Sequence, residues 1–196
     1  SAAVIRLGAQ GTLNGGQGTG VMVIEGGLLQ SIYGLHISRK EDAVGLLIVK
    51  GGTIDAQNAD ANIDLGGIAF QAASGGDPGQ KSTMRVIGND AVINTENFNM
   101  LNRANSNLEF FIDDDTVSKI NVTNRANVDG TLKVGLHGGI VLTKSTNYRL
   151  LEVGGAGDGL VDGSFNVFTP SAATGLWSVL AQGDGPGGID DIIEIN

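Results

Sequence analysis

The sequence predicts an all-β fold, a right-handed parallel β-solenoid in which residues 1–196 form one domain, and three observations lead there. Gly is the outlying residue, at 32 copies, while Pro is held to 3 and 41% of residues are hydrophobic. The apolar residues fall in short runs broken by Gly, Asn and Asp, which describes a chain that turns often and pairs strands between turns. The runs also repeat: Gly20–Leu29 and Gly45–Ile54 match in register at an offset of 25 residues. Fixed-period self-similarity in a Gly-rich chain is the signature of a stacked repeat.

The elements follow in order. Ile5-Arg6-Leu7-Gly8 returns as Leu35-His36-Ile37-Ser38 and again as Ile63-Asp64-Leu65-Gly66. A second strand follows each, at Gly20–Ile24, Gly45–Val49 and Met84–Ile87. After a Gly-Gly or Asn-Asp turn comes a short third strand, at Leu28-Leu29, Thr53-Ile54 and Ala91-Val92-Ile93. Strand, loop, strand, turn and short strand make one coil of about 25–30 residues. One coil cannot bury its inward side chains alone, but a stack buries a continuous apolar column. Alternation along the strands assigns Val21, Val23, Leu46, Ile48 and Val86 to the interior and Met22, Glu25 and Lys50 to the outside. The Gly pairs suit sharp corners. A helix would lose about 1 kcal/mol at each Gly relative to Ala.

The stretch between first and second strands varies in length, from Gly8–Gly20 to the longer Gly66–Thr83. Loops that vary at one phase of a repeat lie on one side of the stack and are the natural address of any binding face. Regular coils are expected over 1–95, and less regular coils with a C-terminal cap over 96–196. Strand-like runs there include Asn107–Ile112, Thr131–Val134, Tyr148–Val153 and Asp191–Ile195. The larger aromatic residues collect in this later half, with Trp177 near the end, and bulky side chains can plug an open solenoid end.

Charge and composition exclude several roles. A net charge of −9 with only 12 scattered Lys and Arg opposes binding to nucleic acid, whose phosphates require clustered cations. Anionic membrane surfaces are disfavoured on the same ground, and no apolar run reaches the roughly 18 residues of a membrane-spanning helix. With no Cys, the chain has neither a disulfide framework nor a thiolate metal site. The abrupt start at Ser1-Ala2-Ala3 and strand-like Ile192–Ile195 at the end read as a mature or excised piece of a longer protein.

The runs Gly34–Ile54, Leu108–Leu136 and Tyr148–Phe168 resemble the Gly-rich repeats of bacterial autotransporter passenger domains and of exported PEP-CTERM-type surface proteins. The three runs lie between residues 34 and 168. The resemblance implies an extracellular or cell-surface β-helix and supplies no catalytic residues.

Chemistry-bearing residues are few. Asp113-Asp114-Asp115 is the densest acidic cluster, and calcium favours such hard oxygen ligands. Three successive carboxylates in an extended chain point to alternate sides, so a solvated turn between Ile112 and Val117 is the better reading. Gly154–Leu160 approaches a calcium-binding nonapeptide, but Asp158 falls one position early and the motif is not tandem. No cofactor or metal site is expected, and calcium at Asp113, Asp114, Asp115 or Asp158 is the one ion for which candidate residues can be named. His36 and His137 lack neighbouring Cys or His, and alternation places His36 outward. A catalytic solenoid would need convergent carboxylates, and Glu25, Asp55 and Asp64 cannot be placed at a required separation from sequence. Tyr33, Asp55 and Trp177 are the candidates for ligand contact. The expected function is a non-catalytic structural or adhesive module whose partner is an extracellular glycan or surface. A polysaccharide-binding module, or an appendage of a polysaccharide-degrading enzyme, is the alternative, with a polysaccharide lyase or hydrolase third.

Overall fold

The computed structural model describes residues 4–8, 18–38, 43–58, 61–66, 80–101, 105–113, 116–138, 148–154, 160–163, 165–168, 179–181 and 191–195. Every regular element among them is a β-strand. One coil comprises β1 (Ile5–Leu7), β2 (Thr19–Ile24) and β3 (Leu28–Gln30), and the next β4 (Gly34–Ile37), β5 (Val44–Val49) and β6 (Gly52–Ala56). Then come β7 (Asn62–Leu65), β8 (Lys81–Ile87), β9 (Ala91–Met100), β10 (Ser106–Ile112), β11 (Ile120–Val128), β12 (Thr131–Leu136) and β13 (Tyr148–Val153). The short strands β14 (Leu160–Asp162), β15 (Asn166–Phe168), β16 (Val179–Ala181) and the five-residue β17 (Asp191–Ile195) complete the order.

These strands stack as a parallel β-solenoid with three faces. The first face runs β1, β4, β7, the end of β9, the end of β11 and β14. The second is the 6-stranded sheet β2, β5, β8, β10, β12 and β15. The third runs β3, β6, the start of β9, the start of β11 and β13. All of these pairings are parallel. The direction changes only where β17 lies antiparallel on β13 and β16 antiparallel on β17.

The repeat read from the sequence is the stacking register. Gly20 pairs with Gly45 and Val21 with Leu46, while Ile5, Leu35 and Ile63 align on the first face. The parallel ladders continue past residue 95, through Asp162 on the first face and Phe168 on the second. Two strands carry the chain from the third face to the first without ending. In β9, Ala91–Thr95 pair with β6 and Asn97–Met100 with β7, so the bend falls at Glu96. β11 makes the same turn with one extra residue, a register shift between Val122 and Arg125.

Each face sends alternate side chains inward. The first face contributes Leu35, Ile63, Phe98 and Ala126, with Ile37, Leu65, Met100 and Val128 beside them, and all are buried. Leu47, Met84, Leu108 and Leu132 form one buried column of the second face, and Val49, Val86, Phe110 and Val134 the other. Ile54, Ile93, Ile120 and Leu151 fill the third. The aromatic side chains Phe98 and Phe110 thus lie within the stack, and Trp177 lies outside the described residues.

One expectation is overturned. Val86, Glu25 and Lys50 face as predicted, but Val21 and Val23 are 59% and 47% exposed, and Leu46 and Ile48 are only half-buried. Met22 and Leu47 point inward instead. Both parities of β2 and β5 are apolar, so alternation within either strand leaves the choice open. The choice is made one coil later, where the outward partners are Thr83 and Arg85 and the inward ones Met84 and Val86.

The corner between first and second faces admits only small side chains. Gly45 aligns with Gly20 and Ser82, and Ser82 with Ser106. A Cβ on Gly45 would sit 2.7 Å from both Ile37 Cγ2 and Ser38 Oγ. Ser38 itself is held in the left-handed region at φ 60°, the one non-Gly residue there among those described, while its hydroxyl donates to the carbonyl of Lys81. Gln80 donates to the carbonyl of Ser38, Ser82 Oγ to Ser106 Oγ over 3.2 Å, and Ser106 Oγ to the carbonyl of Leu65 over 2.8 Å. The buried polar atoms of this corner are thereby paired along the stack.

Candidate functional site: the outward ladders

Because the strands stack in register, outward side chains of neighbouring coils lie one strand spacing apart, roughly 4.8 Å. Complementary groups in such a column meet directly. On the second face Glu109 lies between Arg85 and Lys133. Arg85 Nε donates to Glu109 Oε2 over 2.7 Å, and Lys133 Nζ reaches Oε1 at 3.0 Å. The Glu109 side chain is only 7% exposed, and the Arg85 guanidinium also sits 5.2 Å above the ring of Phe111. A carboxylate so enclosed is tolerable because two cations and their hydrogen bonds replace its water.

The first face aligns Arg6, His36, Asp64 and Asn99. His36 Nδ1 lies 2.9 Å from Asp64 Oδ2, and Asn99 Nδ2 donates to Asp64 Oδ1 over 2.9 Å. At the neighbouring bend Asn97 donates to Asn62 over 2.8 Å, and Asn124 donates to Asn97 over 2.9 Å. The third face aligns Gln30, Asp55, Asn94, Asn121 and Glu152. Here Gln30 donates to Asp55 over 3.2 Å, Asn121 donates to Asn94 over 2.9 Å, and Lys119 pairs with Glu152. The side-chain amide nitrogen of Asn121 is thereby engaged within the stack. Glu96 Oε2, at the bend of β9, is buried with no hydrogen-bond partner, and nothing among the described residues accounts for it.

The residues singled out in the sequence do not come together. Asp55 belongs to the third-face ladder, and Tyr33 stands 57% exposed in the turn between β3 and β4. Asp113 closes a turn with Thr116, whose backbone N–H and hydroxyl both donate to the Asp113 carbonyl. Trp177, Asp114, Asp115 and Asp158 lie outside the described residues. Glu25 pairs with Lys50 at the corner between second and third faces, 2.8 Å apart, whereas Asp64 is on the first face. Lys50, by its hydrogen bond first and its charge second, holds the Glu25 carboxyl below its ordinary value. His36 faces outward as expected, and His137 is exposed after β12. Among the described residues no three His, Asp or Glu side chains are grouped to hold a metal ion.

Sequence reasoning missed the ladders. Their signal was present: Arg85, Glu109 and Lys133 recur at intervals of 24 residues with alternating sign. The variable connections predicted from the sequence, residues 8–18, 38–43, 66–80, 101–105 and 129–130, each run from a strand of the first face to a strand of the second.

Fold and ladders together define the class: a parallel β-solenoid whose outward polar side chains bond coil to coil. Compared with family models, curated proteins and solved structures, the chain matches none.

Proposed function

We propose that this chain is a non-catalytic structural or adhesive module of an exported bacterial surface protein, of the kind its Gly-rich repeats resemble. The observation that carries the reading is the pairing of the outward ladders. Glu109, Asp64, Asp55 and Glu152 are each bonded to a neighbouring coil, so their hydrogen-bonding capacity goes into the stack. A general acid or base needs a proton-transfer geometry toward a substrate, which such inter-coil pairs oppose. Long self-bonded faces suit a rigid spacer or a broad contact surface.

A polysaccharide-binding module is the second reading, favoured by the exposed ring of Tyr33, since sugars stack on amphipathic aromatic faces. Electrophoresis through gels cast with a panel of polysaccharides separates the two. Unretarded migration in every gel is the expected result. Retardation that is lost in Tyr33→Ala would replace the structural reading with the polysaccharide one.

A further inference from the structure

We draw no further inference here: the strongest candidate, the outward patch of the second face where the column Thr83, Asn107 and Thr131 runs beside the column Arg85, Glu109 and Lys133, carries nothing because Glu109 already takes up both cations and nothing in the structure shows what covers the patch.

Discussion

Glu109 shows how a single side chain ties three coils. Its carboxylate is nearly enclosed, while Arg85 and Lys133 are 34% and 37% exposed and keep contact with water. Glu109→Ala leaves two cations facing each other but not buried. The expected loss is about 2 kcal/mol, below the roughly 3–5 kcal/mol of a fully buried pair. The midpoint of urea unfolding measures it. The exposed Glu25–Lys50 pair is the contrasting case, screened by solvent. Lys50→Ala should leave the melting temperature unchanged within error at neutral pH. The sign of any residual effect is set by the lowered carboxyl. Its contribution is present above the ordinary value of 4.5 and disappears as pH falls through the lower folded value. A difference between wild type and Lys50→Ala that grew on acidification would contradict that assignment.

At the scale of the strand, the parity of β5 and the crowding of its first corner make paired tests. Leu47 is fully buried, so Leu47→Ala should cost about 2–5 kcal/mol. Ile48→Ala, on the outward side, should cost roughly 1 kcal/mol or less. Thermal or urea unfolding of the two proteins side by side checks the facing directly, and equal losses would contradict it. Gly45→Ala pushes a methyl group against Ile37 and Ser38 and should cost about 1–3 kcal/mol. Gly26, whose Cβ would meet nothing within 4 Å, should accept Ala within about 0.5 kcal/mol. The strand register was legible because Gly20–Leu29 and Gly45–Ile54 repeat in phase. The facing of β2 and β5 was not, because Val21-Met22-Val23-Ile24 and Leu46-Leu47-Ile48-Val49 are apolar on both sides. Only the polar partners supplied by β8 and β10 break that symmetry, and they lie one or two coils away.

At the scale of the molecule, backbone ladders, a buried apolar column and the outward pairs join the coils among the described residues. Excess chelator is therefore expected to leave the melting temperature unchanged, since an ion bound only to the folded state would raise it. A fall on chelation would direct attention back to the acidic residues 113–115 and 158. Composition and repeat together were enough to read the architecture, because Gly spacing and apolar runs report directly on corners and columns. The ladders were harder to see. They join residues 24–35 positions apart through side chains whose neighbours in sequence point the other way. Tyr33 and Asp55 drew notice as residue types, but the stack gives them unrelated surroundings.

The alternation of sign along the second face also bears on fidelity during folding. β8, β10 and β12 are spaced by the same interval, and their inward residues, Met84 and Val86, Leu108 and Phe110, Leu132 and Val134, are all apolar. A chain that skipped β10 and laid β12 directly on β8 would still set apolar residues against apolar ones at the new junction. It would, however, set Arg85 against Lys133, like charge on like, with Glu109 stranded away from both. The charge order thus makes each coil recognise its immediate successor, so the sequence of coils is proofread by electrostatics where hydrophobic packing alone would accept an error.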